Sequence, residues 1–198
     1  MSHELEIEFK NMLTESEFKQ LCRLFDLNES SFFKQINDYF DTPTFGLRNK
    51  KSALRIRHLN GQHDFTLKQP YNGNTLETHQ ALSKEESDKL IQLGIMPAGT
   101  IEQAISGSGV NVDQLVHIGE LMTLRSEFPY QKGTLFLDHS YYLNHEDFEL
   151  EYEAEDDAEG RQIFSKLLKK ASIPLRPSKN KILRLYEAIL EAKGKDQN

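Results

Sequence analysis

Polar and apolar residues alternate with a period of two over several stretches of the chain. Residues 4–10 place Glu4, Glu6, Glu8 and Lys10 on one face and Leu5, Ile7 and Phe9 on the other, which predicts a strand. Phe32 to Asp41 predicts a second strand, ended by Thr42-Pro43. Leu54 to Leu59 and Gln62 to Lys68 flank Asn60-Gly61, a pair suited to a type I′ turn, and so predict a hairpin. Leu76 to Leu82 predicts another strand. Ile118 to Tyr130 and Thr134 to Asp138 predict a second hairpin with its turn at 131–133, and Tyr141 to Glu153 a last long strand. Helical periodicity follows two capping boxes, Thr14 with Glu17 and Ser83 with Glu86. The first helix buries Phe18, Leu21, Cys22 and Phe25, and the second runs to about Leu93. Ile101 to Ile105 is a short helical piece in a glycine-containing stretch. Ala158 to Ala171 and Lys179 to Ala192 are amphipathic helices separated by Pro174 and Pro177. Eight or so strands with almost no parallel-type crossovers make an α+β protein built on an antiparallel sheet, open or closed. The 198 residues fit one domain.

The polar face of nearly every strand is charged, with both signs. A two-residue turn at Asn60-Gly61 puts Arg57 opposite Asp64 and Arg55 opposite Thr66, with Lys68 farther along that face. A turn at Lys132-Gly133 would place Glu127 opposite Asp138, with Arg125 on the same face. The last strand carries Glu149, Glu151 and Glu153 on one side and Phe148, Leu150 and Tyr152 on the other. Two arrangements fit. A half-solvated sheet turns its charges to water, and the pattern alone favours this one. A closed sheet turns them inward and covers its apolar outside with helices. Buried carboxylates then need cations. Glu4, Glu6, Glu8, Glu77, Glu127, Asp138, Glu149, Glu151 and Glu153 share these faces, and all-oxygen groups of this kind suit Mg2+ or Mn2+. Arg55, Arg57, Lys68 and Arg125 suit a polyphosphate, the arginines through bidentate forks.

Composition narrows the partners. The formal net charge of −7 argues against bulk nucleic-acid binding. The single cysteine excludes an intramolecular disulfide and a cysteine-based zinc site, and it suits a reducing cytoplasm. With a mean hydropathy of −0.61 and no apolar run near 20 residues, no membrane span is expected, nor is a secretory signal.

The ordered set Glu6-x-Glu8-x-Lys10, Ala53-Leu54-Arg55-Ile56-Arg57, Thr66-Leu67-Lys68, Glu77, Arg125, Asp138, Glu149-x-Glu151 and Pro177-Ser178-Lys179 resembles the CYTH family, the triphosphate tunnel metalloenzymes, and in particular its small stand-alone bacterial members of the firmicute type. Glu-x-Glu-x-Lys alone is a weak signal; the ordered set covers almost the whole chain. The resemblance implies an eight-stranded antiparallel closed barrel, a tunnel with a charged lumen and helices outside. It thereby reverses the preference drawn from the pattern. The single CYTH domain would span 1–198 and include the helix at about 179–192. By position, Glu6, Glu8, Glu149 and Glu151 would bind Mg2+ or Mn2+. Lys10, Arg55, Arg57, Lys68, Arg125 and Lys179 would hold the phosphates. Glu77, Asp138 and Lys68 would act in catalysis, the two acids on a second metal or the attacking water. Thr75 stands where many members have Arg, His79 where the family is often acidic, and Lys181 lies one step from Lys179 as the alternative C-terminal contact.

The implied function is metal-dependent hydrolysis of inorganic triphosphate by in-line water attack, in the cytoplasm, by a monomer or homodimer. A thiamine triphosphatase, a class IV-type adenylate cyclase and a non-catalytic polyphosphate- or nucleotide-binding module are the alternatives. Inorganic triphosphate asks least, since thiamine or adenine would need its own pocket. Other features have plain explanations. Cys22 packs in a core. His58 and His63 are solvated beside their turn, and His139 and His145 lack ligand spacing. Glu155-Asp156-Asp157 starts a helix, and Lys166, Lys169 and Lys170 form a solvated face.

Overall fold

The period-two stretches fold as strands and the capping boxes open helices. The strands are β1 His3–Glu6, β2 Glu8–Leu13, β3 Phe33–Asp41, β4 Ala53–Leu59, β5 Gln62–Tyr71, β6 Asn74–Leu82, β7 Val116–Tyr130, β8 Gly133–Tyr142 and β9 His145–Ala154. The helices are α1 Glu15–Leu24, α2 Gly46–Asn49, α3 Lys84–Leu93, α4 Thr100–Gly107, α5 Asp157–Lys170 and α6 Lys181–Lys195. This computed structural model describes residues 3–195. The side chains of 3–5, 74 and 193–195 lie outside the described set, and with them the carboxylate expected at Glu4. The expected first strand is divided at Ile7, and the protein is α+β as read from the pattern.

The chain forms two compact units. One comprises Met1–Glu6 and Ile36–Leu121; the other comprises Ile7–Gln35 and Met122–Asn198. In the first, β1, β6, β5, β4 and β3 lie side by side in that order, each pair antiparallel. The Asn60-Gly61 register is as expected, with Arg57 opposite Asp64 and Arg55 opposite Thr66. Phe40, Leu54, Ile56, Phe65 and Leu67 turn to one side and pack with Leu90 of α3 and Ile101 and Ile105 of α4. Ser83 caps α3 in a full capping box, and Gly94 ends it at φ 68°, a left-handed conformation open to glycine.

In the second unit β7, β8, β9 and β2 lie side by side, again antiparallel. Leu135, Leu137, Leu150 and Tyr152 pack on Leu21 of α1 and on Ile163, Phe164 and Leu167 of α5. Thr14 and Glu17 make the expected capping box. Asp156 caps α5 by accepting from the Glu159 amide. Cys22 packs, half-buried, beside this core.

Two readings of this unit change. The turn of the second hairpin is Gln131-Lys132, so Tyr130 pairs with Gly133 and Arg125, rather than Glu127, faces Asp138. The reason is packing. A Cβ on Gly133 would lie 2.2 Å from the Glu153 carbonyl oxygen and 2.8 Å from the Tyr152 hydroxyl, so the glycine serves a close approach and not the turn. Glu127 is left exposed opposite Phe136. The expected last strand is also interrupted. Leu143, at φ 49° and exposed, begins a tight turn, and β8 and β9 form a further hairpin pairing Asp138 with Glu149. The turn is Leu143-Asn144, and the leucine in its left-handed first position, which carries no turn signal, hid the break.

Gly133→Ala is expected to lower the unfolding free energy by about 1–3 kcal/mol through overpacking. Urea titration followed by circular dichroism measures it, with Gly107→Ala, where a Cβ meets nothing within 4 Å, as the comparison.

Candidate active site

The register of each unit brings charged side chains into one group. In the first unit Lys68 on β5 lies opposite Glu77 on β6. Its ammonium pairs with Glu77 and also sits 2.9 Å from Glu6 Oε2. His79, two residues beyond Glu77 on the same face, binds Glu77 Oε2 at 3.3 Å through Nε2 and Asp64 Oδ2 at 3.0 Å through Nδ1. Thr66 donates to Asp64 at 2.9 Å. Arg55 is buried, with Tyr39, Glu77 and Glu6 as its electrostatic neighbours, and its Nε has no hydrogen-bond partner. Arg57 Nε donates to Asn37 Oδ1 at 3.3 Å.

These contacts set the protonation states. Burial opposes ionisation of Glu77, but the His79 hydrogen bond and the Lys68 and Arg55 charges outweigh it and hold the carboxyl well below its usual range. The hydrogen bonds to Asp64 and Glu77 raise His79 to about 9. A second chain of polar groups lies on the apolar side of this sheet. Asp38 accepts from His58 at 2.8 Å and His117 at 2.6 Å, and His58 Nδ1 lies 2.7 Å from His63 Nδ1. Burial opposes the Asp38 charge, yet the two imidazoles bring its pKa down to about 2. His58 and His63 are therefore joined to the protein and not simply solvated.

In the second unit Arg125, Asp138 and Glu149 stand side by side across β7, β8 and β9, and Glu151 lies opposite Lys10 on β2. Asp138 and Glu149 are fully buried and Glu151 nearly so; ligand oxygens of the three lie within 4.8 Å of one another. Arg125 grips Asp138 with Nε at 2.7 Å and Nη2 at 2.6 Å, reaches Glu151 at 2.6 Å, and rests over the Phe136 ring. Lys10 bridges Glu8 at 2.7 Å and Glu151 at 3.2 Å. From the C-terminal segment, Lys181 contacts Asp138, Glu149 and Glu151, Arg184 donates to Glu149 at 2.8 Å, and the Ser178 hydroxyl donates to Glu149. Burial disfavours the charges of Asp138, Glu151, Lys10, Lys181 and Arg125, and their neighbours reverse it. Arg125 and Lys181 depress Asp138, Lys10 and Lys181 depress Glu151, and the pKa values of Lys10, Lys181 and Arg125 all rise.

The structure thus places Glu6, Arg55, Lys68 and Glu77 in the first unit's group and Glu8, Lys10, Arg125, Asp138, Glu149 and Glu151 in the second's, while Arg57 lies beside Asn37. Lys179 stands apart: it is exposed and pairs with Glu187 at 2.6 Å, and Lys181 takes the buried place. Arg184 and Asp147, 3.3 Å apart, were not expected in the group. The three-residue spacing of Lys181 and Arg184 along one helix face was the signal for Arg184, and the alternation that puts Asp147 on one strand face with Glu149 and Glu151 was the signal for Asp147. Three buried carboxylates form an all-oxygen donor set of the kind that holds a hard divalent cation.

The CYTH domain model matches residues 4–186, and the chain belongs to the CYTH family. It is 50% identical over 187 residues to the Bacillus subtilis protein YjbK, a candidate triphosphatase, covering 94% of this chain and 97% of that one. A crystal structure of a candidate adenylate cyclase from Bacillus halodurans is 40% identical with a TM-score of 0.91, covering 94% of this chain and 100% of the other. A Hippeastrum protein, a candidate adenylyl cyclase with a dominant triphosphatase activity, shares the fold at 20% identity and a TM-score of 0.75, covering 93% and 95%. No helix among the described residues is long and apolar enough to cross a membrane.

The His79 pairing predicts a pH dependence. A histidine whose folded pKa lies above its unfolded value adds stability that is complete below about pH 6.5 and is lost as pH rises through about 9. Melting temperature in EDTA should therefore fall across that interval in the wild type and fall less in His79→Gln. Parallel slopes would remove the assigned charge.

Proposed function

We propose that this chain is a metal-dependent triphosphatase acting on inorganic triphosphate. The observation that carries the reading is the buried Asp138–Glu149–Glu151 group with its ring of basic side chains. Such a group is costly to maintain for stability alone, and it suits a polyanion accompanied by a divalent ion. In the second unit Glu149 and Glu151 would hold the ion together with Asp138, and the family resemblance implies Glu6 and Glu8 as metal ligands as well. When bound, Mg2+ or Mn2+ supplies charge neutralisation on phosphate oxygens.

The remaining steps belong to this chain's own residues. Lys10, Arg55, Arg57 and Arg125 would bind and orient phosphoryl oxygens, with Lys181 in the role first given to Lys179. Lys68 would offset the charge that grows on the leaving phosphate. Glu77, kept ionised by His79, Lys68 and Arg55, is too weak a base to take a proton early. It instead accepts a hydrogen bond from water and aims it in line, which suffices for a loose phosphoryl-transfer transition state. Asp138 is held in the same ionised form by Arg125 and Lys181. No covalent nucleophile is needed. We assign the activity to residues 1–198 as one CYTH domain, in the cytoplasm, with no nucleic-acid partner, as a monomer or homodimer.

Release of phosphate and pyrophosphate from inorganic triphosphate, thiamine triphosphate and ATP tests the reading, with Mg2+, Mn2+ or EDTA. Release from inorganic triphosphate that EDTA and Glu6→Ala/Glu8→Ala abolish is the expected result. Cyclic AMP with pyrophosphate from ATP would make it a cyclase, and binding without turnover a binding module. Arg57→Ala should lower kcat/KM for inorganic triphosphate by roughly 10²–10³-fold, as for removal of one preorganised donor. An unchanged value would sink the clamp assignment.

A further inference from the structure

Lys181 is the first residue of α6, and its charge runs against the electrostatics of its own helix. A helix N-terminus carries partial positive charge and favours anions. The first turn of α6 holds no acidic residue and opens with two cations, Lys181 and Arg184. Both answer instead to β8 and β9. The Lys181 ammonium lies 2.8 Å from Asp138 Oδ2, 2.6 Å from Glu149 Oε2 and 2.5 Å from Glu151 Oε1. It touches all three acids, whereas Arg125 touches two and Arg184 one. Those acids are the donor set fitted to a divalent ion, and one buried ammonium already sits among their oxygens.

We propose that Lys181 is the resident cation of the Asp138–Glu149–Glu151 group, and that a divalent ion enters by displacing it, so that metal uptake is coupled to movement of the first turn of α6. The inference rests on the reading of the chain as metal-dependent. Three carboxylates within 4.8 Å of one another repel, and the lysine relieves that repulsion in the metal-free protein. An ammonium and a divalent ion compete for these oxygens, because like charges repel strongly at short range in a buried setting. The lysine is the cation placed to yield. The backbones of Arg125 and Lys10 are held in strand ladders, whereas Lys181, on its flexible four-carbon stem, opens a helix. It follows a stretch, 173–180, without regular structure and containing Pro174 and Pro177. Arg184, one turn on, stays to balance Glu149 and Asp147.

The test is Mn2+ binding by the full chain without substrate, followed by electron paramagnetic resonance, in the wild type, Lys181→Met and Glu149→Gln. Lys181→Met is expected to bind Mn2+ about tenfold or more tightly, because the ion then relieves carboxylates left without their counter-charge. Its melting temperature should be lower in EDTA and rise further with Mn2+ than that of the wild type. Glu149→Gln should lose the ion. Hydrogen exchange on the wild type needs no variant: Mn2+ should speed exchange at the Leu183 and Arg184 amides, which bond to the Asn180 carbonyl. If Lys181→Met does not fold in EDTA, this exchange decides, and unchanged or slower exchange overturns the inference. Mn2+ binding that is equal in the wild type and Lys181→Met, or that survives Glu149→Gln, overturns it alone. Absence of binding in both the wild type and Lys181→Met overturns it together with the metal-dependent reading.

Discussion

Burial of like-charged carboxylates is the constraint around which the second unit is arranged. Asp138, Glu149 and Glu151 are all but inaccessible, and no sheet face could hold them without cations at contact distance. The cations come from separate elements. Arg125 comes from a neighbouring strand, Lys10 from the other flank, and Lys181 and Arg184 from the last helix. Each contributor must therefore be in place before the group is tolerable. The close approach at Gly133, which sets the hairpin register, bears on the same requirement, because a shift of two residues would put Glu127 opposite Asp138 in place of Arg125.

The first unit meets a related constraint with fewer charges. Lys68 lies between Glu6 and Glu77, and His79 links Glu77 to Asp64. Glu77 in one group and Glu151 in the other stay ionised against burial, which fixes them as acceptors of hydrogen bonds or as ligands. This protonation state favours electrostatic positioning over proton abstraction as the contribution of the protein to phosphoryl transfer. The apolar sides of the sheets are covered by helices. Arg55, Glu77, Arg125, Asp138, Glu149 and Glu151 are buried as well, while Glu127 and Glu153 stay exposed, so the half-solvated arrangement favoured by the alternation alone describes only part of the charged positions.

The strands, the two capping boxes, the Asn60-Gly61 hairpin and the identities of the charged residues were legible in the sequence, because each depends on local chemistry. Alternation of period two is a property of one strand, a capping box spans four residues, and Asn-Gly adopts its turn wherever strands flank it. The ordered acids and bases from Glu6 to Lys179 likewise carried the resemblance to the CYTH family. What tertiary structure alone decided was who faces whom. Gly133 reads as a turn residue in sequence, but the Glu153 carbonyl across the ladder leaves no space for a side chain there, and the turn moves to Gln131-Lys132. Lys179 and Lys181 are equivalent candidates by spacing. The direction in which the chain enters α6 sends one to Glu187 at the surface and the other among three buried carboxylates, where Coulomb attraction at short range holds it.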